Sequence, residues 1–206
     1  MAARGAGRGL PVRTGGGAPT TIPETVAATA ERDGDRVAIR DGATCLSYAE
    51  LCEAGRDVAA ALTATGLVPG ERVAIWSPNS VEWVVAALGI FSAGGVLVPV
   101  NTRFKGAEAA DLLLRSRARV LVTVTGFLGH DYLSMLNATG VELPDLDAVV
   151  VARGRPTGRA SDWQGFLAGA TPEALTEVDR RVAALGPEDP SDILFTSGTT
   201  GVPRAS

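Results

Sequence analysis

The sequence predicts an α/β fold in which a mostly parallel sheet is flanked by helices. Apolar runs typical of strands alternate along the chain with stretches of helical periodicity, as in Arg72–Trp76 followed by Val81–Ala93. The strand runs are apolar at nearly every position, as expected for strands buried on both faces of a parallel sheet. Hydrophobic residues make up 46% of the 206-residue chain, which is enough for a substantial core.

The chain begins with residues 1–20, which are rich in Gly, Ala and Arg and show no apolar periodicity. Such a composition cannot bury enough apolar surface to order itself, so we predict a disordered N-terminal tail and a folded region over 21–206. The tail lacks the apolar h-region of a secretory signal peptide, and a transit peptide is the alternative because the tail contains arginines and no acidic residue.

Two helices with recognisable starts come first. Thr21 predicts the cap of a helix that runs to about Arg32, with Pro23 in its first turn. Residues 37–40 and 44–46 predict a hairpin. Ser47 and the glutamate three residues later form a capping box for the second helix. One face of this helix carries Leu51, Gly55, Val58, Ala59 and Leu62.

Residues 81–100 contain one charge, Glu82, over about the length of a membrane span. Two consecutive glycines at 94–95 divide this run, and neither part is long enough to cross a bilayer. We therefore predict a buried helix capped at Asn79 and a buried strand over 96–100, with no transmembrane segment.

The remaining elements follow the same alternation. Helices are predicted over 106–116, 132–139, 163–167 and 171–185, strands over 120–124, 148–151 and 193–195, and an exposed loop over 153–159.

Composition and isolated residues narrow the class of function. The net charge of −4 argues against nucleic-acid binding, which usually requires a basic face. Cys45 and Cys52 lack the spacing of a metal or redox site, so we expect two buried apolar side chains. The single histidine, His130, is expected at the surface. Few cysteines and no signal sequence indicate a cytoplasmic protein.

The chain is organised around its last stretch, where an apolar run ending at Phe195 passes into a loop of hydroxyl residues and glycine. Glycines let backbone N–H groups approach an anion, and Ser and Thr hydroxyls add further donors. Arg204 adds a positive charge. This chemistry suits polyphosphate. The Walker A motif is excluded because Gly198 and Gly201 are three residues apart and no lysine follows. An ordinary surface turn is the alternative.

The stretch from Phe195 to Pro203 resembles the phosphate loop of the adenylate-forming superfamily, which includes acyl-CoA synthetases. Arg204 stands in place of the usual lysine of that signature, and Ala205 in place of the usual glycine. Residues 76–103 are also similar to acyl-CoA synthetases, and most of all to actinobacterial acid–CoA ligases of steroid-ring degradation. The resemblance extends from about residue 22 to residue 204.

The resemblance implies the first part of the large N-terminal domain of an adenylate-forming enzyme. Such an enzyme activates a carboxylic acid with ATP and Mg²⁺, through an acyl-adenylate, and transfers it to CoA. The implied ligands of the ATP phosphates are Thr196, Ser197, Gly198, Thr199, Thr200, Gly201 and Arg204, with Thr199 nearest to Mg²⁺. The resemblance places no catalytic residue within this chain.

Because the rest of the family's active site follows the signature in longer proteins, we expect these 206 residues to be a truncated part without adenylation activity of their own. The expected partners are a small carboxylic acid, ATP and CoA, and homo-oligomerisation of the longer protein is left open. One alternative is a short non-catalytic remnant that binds nucleotide or a partner. A second is an adenylation domain that loads a carrier protein.

Overall fold

The structure is a computed structural model that describes residues 20–196 and 204–205, with only the backbone described at 196, 204 and 205. Its helices are α1 (Ile22–Asp33), α2 (Tyr48–Ala64), α3 (Val81–Ser92), α4 (Gly106–Ser116), α5 (Tyr132–Asn137), α6 (Trp163–Leu167) and α7 (Pro172–Ala184). Its strands are β1 (Val37–Asp41), β2 (Thr44–Ser47), β3 (Arg72–Trp76), β4 (Val96–Pro99), β5 (Ala118–Phe127), β6 (His130–Asp131), β7 (Ala148–Arg153), β8 (Ser161–Asp162), β9 (Phe195–Thr196) and β10 (Arg204–Ala205).

The chain divides into two compact units. The first contains the described residues up to Gly66 together with Ser80–Gly94 and Gly169–Asp189, and therefore α1, α2, α3, α7 and the β1–β2 hairpin. The second contains Leu67–Asn79, Gly95–Ala168 and the described residues from Pro190 onward, and therefore all the other strands with α4, α5 and α6.

Helices α1 and α2 of the first unit begin where the sequence predicts. Glu24 N donates to Thr21 Oγ1 at 3.4 Å, and Thr21 N donates to Glu24 Oε2 at 3.2 Å. The predicted box at the start of α2 is also present, with Ser47 N bonded to Glu50 Oε2 at 2.8 Å. The whole predicted face of α2 is buried. These caps satisfy backbone donors that a helix leaves free in its first turn.

The cap of α3 differs from the prediction by one residue. Ser80 rather than Asn79 precedes the helix, and its Oγ accepts from Trp83 N at 3.2 Å. Asp41 Oδ2, at the end of β1, accepts from Val81 N at 3.3 Å. The prediction of Asn79 was wrong because the cap directly precedes the first helical residue, which is Val81. Among the described helices, none is long and apolar enough to cross a membrane.

Arginine side chains tie α7 to α2 and to the end of α3. Arg56 on α2 donates from Nε and Nη2 to Asp179 at 2.8–3.1 Å, which is the bidentate geometry of a strong ion pair. Arg181 on α7 donates to the Ala93 carbonyl at 3.1 Å, just beyond the end of α3, and to Glu177 at 3.0 Å. Helix α7 is therefore bonded to α2 through Asp179 and to the end of α3 through Arg181.

The second unit is built on a sheet with the strand order β4-β3-β5-β7-β8. All these pairs are parallel, and β6 adds to the end of β5 in the antiparallel direction. In the register of the sheet, Val73 lies between Leu97 and Val120. The predicted α/β class with a mostly parallel sheet is confirmed.

One apolar core covers a face of this sheet. It combines residues of β3, β4 and β5 with the inward faces of α4 and α5, and Trp76, Leu121 and Tyr132 are among its members. Helix α4 begins at Gly106 as predicted, where Glu108 Oε2 accepts from Lys105 N at 2.8 Å. It ends at Ser116, and the next residue, Arg117, has a left-handed φ of 53°.

The other differences from the predictions concern the lengths of strands and the presence of short ones. β5 is longer than predicted, and the short strands β6 and β8 had no periodic signal because two residues carry none. The predicted strand over 193–195 is divided: Asp192 forms an isolated parallel bridge with Leu97, and β9 begins only at Phe195. The predicted tail over 1–20 lies almost wholly outside the described residues and stays a prediction, as does the boundary at residue 21.

The two cysteines have different environments. Cys52 is buried in α2 as predicted, whereas Cys45 is exposed, so the prediction for Cys45 was wrong. Cys45 lies on β2, which among the described strands pairs only with β1, and two strands alone provide little surface to cover it. His130 is exposed, as expected.

Two glycines at the contact of α2 with α3 give a stability prediction. A Cβ at Gly89 would overlap the stiff Val58 side chain and lie 3.1 Å from Ala59 N, which is backbone. We expect Gly89→Ala to lower the free energy of unfolding by about 1–3 kcal/mol, the usual cost of overpacking. The measurement is the midpoint of urea unfolding, with an unchanged slope.

Gly55→Ala is the matched control at the same contact. A Cβ at Gly55 would meet only the Leu88 side chain, at 2.7 Å, and that flexible side chain can move. Its cost should therefore be smaller than that of Gly89→Ala. A Gly89→Ala protein that is more stable than the unaltered one, as an exposed helical Gly→Ala usually is by about 1 kcal/mol, would disprove close contact here.

Candidate functional site

The candidate site lies at the carboxyl edge of the parallel sheet. Because β3, β4, β5 and β7 run in the same direction, the segments that follow them lie side by side. Open parallel sheets bind ligands in the crevice outside these carboxyl ends. The segments are 77–79 after β3, 101–105 after β4, 128–129 after β5 and 154–159 after β7.

The segment over residues 191–193 runs along β4 toward the same edge. Leu97 N donates to the Ser191 carbonyl, and Ile193 N donates to the Leu97 carbonyl, each at 2.9 Å. The bridge between Leu97 and Asp192 is parallel. Residues 191–193 therefore follow the free side of β4 in its own direction, toward the carboxyl edge.

The predicted phosphate-loop residues begin at β9. Thr196 pairs with Arg204, and Phe195 pairs with Ala205, in an antiparallel hairpin. The pairing brings the backbones of Thr196 and Arg204 together. The other predicted site residues lie outside the described residues, namely Ser197, Gly198, Thr199, Thr200 and Gly201.

Phe195 anchors the start of this hairpin. Its ring is partly buried against the core of the second unit. The guanidinium carbon of Arg115 on α4 lies 5.3 Å from the centre of the ring, which is cation–π geometry. The first residue of the predicted signature is thus attached to the folded body.

Two buried aromatic residues hold the segment that follows β4. The rings of Trp76 and Tyr132 are stacked, with centroids 4.4 Å apart and an interplanar angle of 15°. Trp76 Nε1 donates to the Asn101 carbonyl at 3.2 Å, and Tyr132 Oη donates to the Thr102 carbonyl at 2.9 Å. We call this pair of side chains the aromatic clamp, because it binds two consecutive carbonyls.

The held segment also has bonds of its own. Asn101 Oδ1 accepts from Arg103 N at 2.9 Å, and the Asn101 carbonyl accepts from Phe104 N at 3.0 Å. Burial raises the pKa of the Tyr132 hydroxyl above its ordinary value of 10.0, although the bond to Thr102 opposes this shift. Tyr132 is therefore a neutral donor at physiological pH.

Basic side chains at the two edges of the sheet differ in whether they have a partner within the protein. At the amino edge, Arg119 forms ion pairs with Glu71 and Asp147. At the carboxyl edge, exposed Arg103 and Arg155 form no side-chain hydrogen bond or ion pair with any residue that the structure describes. Positive charge without an internal partner is a feature of anion-binding edges.

The described residues contain no group of three or more His, Cys, Asp or Glu side chains that could hold a metal ion. Mg²⁺ does not require such a group when a substrate supplies phosphate oxygens, because it keeps several waters and binds through one or two protein oxygens. The Ser and Thr hydroxyls of the predicted loop are donors of this kind.

The aromatic clamp was not predicted from the sequence. Trp76 was predicted only as the end of a buried strand, and Tyr132 only as part of a helix. The available signal was the residue type, since a buried Trp or Tyr usually finds an acceptor for its N–H or O–H. Nothing in the sequence indicated that both acceptors would be carbonyls of adjacent residues.

A tight contact closes the carboxyl edge at β7. Thr125 Oγ1, near the end of β5, accepts from Arg155 N at 2.9 Å. Gly154 has a φ of 108°, and a Cβ there would overlap Thr125 Oγ1 and lie 2.8 Å from the Thr125 carbonyl oxygen. Glycine is required at this position for both reasons.

Comparison with known proteins identifies a family. Residues 26–205 match the family described as AMP-binding enzyme. A propanoyl:CoA ligase of Rhodococcus jostii, named for an acid that carries a methyl-dioxo-octahydro-indenyl group, is 43% identical over 89% of this chain. The ligase of the same name from Mycobacterium tuberculosis is 48% identical over 74% of this chain. These matches cover 36% and 29% of the two relatives, so the chain spans about a third of their length.

Solved structures agree on the fold. The crystal structure of the anthranilate CoA ligase AuaEII in complex with anthranoyl-AMP superimposes with a TM-score of 0.79 at 23% identity. The superposition covers 91% of this chain and 35% of that one.

Gly154 gives a test of the edge geometry. We expect Gly154→Ala to destabilise the protein by about 3 kcal/mol, because overpacking adds to an unfavourable backbone conformation. Gly158→Ala is the matched control: its φ is also positive, at 64°, but no atom lies within 4 Å of the added Cβ. It should cost only about 1 kcal/mol. Equal midpoints of urea unfolding for the two variants would show that Thr125 makes no close contact.

Proposed function

The chain belongs to the family of AMP-binding enzymes, and on that premise we propose that it supplies the polyphosphate-binding part of an AMP-forming acid–CoA ligase. The observation that carries the proposal is the signature from Phe195 to Arg204, whose two ends are paired in the β9–β10 hairpin. The pairing of Thr196 with Arg204 brings the two ends of the predicted phosphate loop together. Hydroxyl and glycine residues in such a loop can direct donors at one polyphosphate.

The proposed reaction has two steps. A carboxylate oxygen attacks the α-phosphorus of ATP, the bond from that phosphorus to the bridging oxygen breaks, and pyrophosphate leaves. The thiol of CoA then attacks the acyl carbon of the acyl-adenylate, and its carbon–oxygen bond to AMP breaks. The thiol proton is released, and the products are an acyl-CoA thioester and AMP.

In this proposal the chain's own residues bind and orient the β- and γ-phosphates. The donors are the hydroxyl groups and backbone N–H groups of residues 196–201, and Arg204 adds a fixed positive charge. Donors held in place before the reaction stabilise the charge of departing pyrophosphate better than water, which must reorient. Mg²⁺, bound by phosphate oxygens and the Thr199 hydroxyl, would neutralise part of that charge.

For the acid, we propose a propanoate side chain on a fused-ring ketone. Support comes from the relatives, since both propanoyl:CoA ligases are named for such an acid and are 43–48% identical to this chain. An acid of this class has a flexible carboxylate arm and a rigid apolar body. ATP and CoA are both present in the cytoplasm, which is where we propose that the reaction takes place.

The first test of the function is binding by the chain itself. We expect Mg²⁺–tripolyphosphate to bind the unaltered chain and Arg204→Gln to weaken it about tenfold, since a hydrogen bond to a charged group contributes about 1.5–3 kcal/mol. Arg204→Lys should lose less, because it keeps the charge but not the fork of donors. Titration calorimetry at low salt measures all three. Arg40→Gln, an exposed arginine on β1, is the control for net charge.

Equal affinities of the unaltered chain and Arg204→Gln would contradict the assignment of Arg204. Absence of any binding by the unaltered chain would contradict the phosphate-loop function itself.

The second test concerns the acid. We expect disruption of the gene in its native cells to cause the fused-ring propanoate to accumulate as the free acid while its CoA thioester disappears. Mass spectrometry of cell extracts measures both compounds. Octanoate is the control substrate, and conversion of octanoate should continue at the same rate. Unchanged formation of the fused-ring thioester would exclude this acid while leaving the binding test unaffected.

A further inference from the structure

The side chain of Arg115 joins helix α4 to the first residue of the predicted phosphate signature. Its guanidinium carbon lies 5.3 Å from the centre of the Phe195 ring, and that ring packs against the core of the second unit. Its other partner is Asp111, one turn earlier on α4, where Arg115 Nη1 and Asp111 Oδ2 are 3.5 Å apart. The two side chains of this ion pair are 32% and 56% exposed, and a surface pair at this distance contributes little to stability. The contact with the ring is therefore the more consequential of the two.

The last turn of α4 is itself bonded to the sheet. Arg72 on β3 donates from Nε to the Ser116 carbonyl at 2.5 Å and from Nη2 to the Arg117 carbonyl at 3.2 Å. Ser116 is buried, and its Oγ donates to the Leu113 carbonyl at 3.2 Å. The backbone from which Arg115 extends is thus held in place, and its side chain carries that support to the Phe195 ring.

Phe195 lies at the junction between the segment bonded to β4 and the hairpin that begins the predicted loop. Two residues before it, Ile193 N donates to the Leu97 carbonyl at 2.9 Å. Its own backbone pairs with Ala205 in the antiparallel hairpin. A contact that fixes the Phe195 ring therefore fixes the direction in which the chain enters the hairpin.

We propose that Arg115 is a positioning residue for the phosphate loop, and that it acts through the Phe195 ring without binding phosphate itself. The inference rests on the proposed function, because the ligand of the loop is the polyphosphate of ATP. A loop whose start is fixed in advance loses less conformational freedom when its ligand binds. Donors that are already in place also stabilise the charge of the phosphates better than donors that must first be ordered.

Two other roles for Arg115 predict different results. If Arg115 only stabilises α4 through Asp111, its loss lowers stability and leaves the affinity for phosphate unchanged. If its charge attracts the polyphosphate directly, its loss weakens binding whatever side chain stands at 195, and every uncharged replacement is equally poor. Only the positioning role makes the effect of Arg115 depend on the Phe195 ring.

The experiment titrates Mg²⁺–tripolyphosphate into the 206-residue chain by calorimetry at low salt. We expect Arg115→Ala to weaken binding about threefold, the affinity equivalent of an exposed cation–π contact. Alanine keeps the helix propensity of α4 high. Arg115→Met keeps a flexible side chain against the ring without the charge, so it should lose less. The matched control is Arg180→Ala, which removes an arginine paired with Glu177 on α7 of the first unit and should leave the affinity unchanged.

A double-mutant cycle with Phe195→Leu shows whether Arg115 acts through the ring. Leucine keeps an apolar side chain at this position but has no aromatic face for the guanidinium. We expect Arg115→Ala to cause no further loss of affinity when Phe195→Leu is already present. Asp111→Asn removes the ion pair and keeps the ring contact, so its affinity should equal that of the unaltered chain.

Hydrogen exchange of the peptide over residues 194–206 gives a second readout that needs no ligand. We expect this peptide to exchange faster in Arg115→Ala and at an unchanged rate in Asp111→Asn, because amides exchange when their segment opens locally. Mass spectrometry measures the rate. If Phe195→Leu fails to fold, this measurement takes the place of the cycle.

Each outcome decides between the alternatives. Unchanged affinity or unchanged exchange of Arg115→Ala overturns the inference while leaving the phosphate loop intact. An equal loss from Arg115→Ala with and without Phe195→Leu, or a loss from Arg115→Met as large as that from Arg115→Ala, indicates direct attraction of phosphate and overturns the positioning role. An equal loss from Arg180→Ala shows an effect of net charge and also overturns it. If the unaltered chain does not bind tripolyphosphate, both the inference and the proposed function fail.

Discussion

The parallel pairing of β3 with β4 and β5 is the constraint on which the rest of the second unit depends. β3 lies between its two neighbours, and the residues Val73 to Trp76 are completely buried. A strand covered on both faces and bonded along both sides can carry no polar function along its length. The polar chemistry of the unit is therefore displaced to the strand ends, and the shared direction of the strands gathers those ends into two edges.

The two edges satisfy their polar groups in opposite ways. At the amino edge, charges are neutralised internally: Arg72 donates to the Ser116 carbonyl at 2.5 Å, and Arg119 binds Glu71 at 3.4 Å. At the carboxyl edge, neutral aromatic donors bind the backbone at 101 and 102, and the cationic side chain at 103 is left to the solvent. Ion pairs would have cancelled the positive charge that the proposed anion-binding edge requires, whereas neutral donors fix the segment after β4 and leave that charge available.

Much of this organisation could be predicted from local sequence, because the relevant signals were local. Apolar run length located β3 and α4 at their observed bounds, and a hydroxyl followed by glutamate located the capping boxes of α1 and α2. The failures had local as well as tertiary causes. The cap of α3 was placed one residue early, at Asn79, and exposed Cys45 was expected in the core because nothing local indicated how few strands β2 would join. The aromatic clamp joins side chains 56 positions apart in the sequence, and only the pairing of β3 with β5 brings them together.

The presence of Arg rather than Lys at 204 also has a physical consequence for the proposed loop. Of the chain's 19 basic Lys and Arg residues, Lys105 is the only lysine, so arginine fills nearly every basic position. A lysine is a point charge that can follow a phosphate in several directions, whereas a guanidinium binds well only when its plane is correctly oriented. An arginine in this role therefore demands a more rigid support than a lysine would. Backbone pairing of Arg204 with Thr196 is a support of that kind, since it fixes the backbone at residue 204 relative to the strand that leads into the predicted loop.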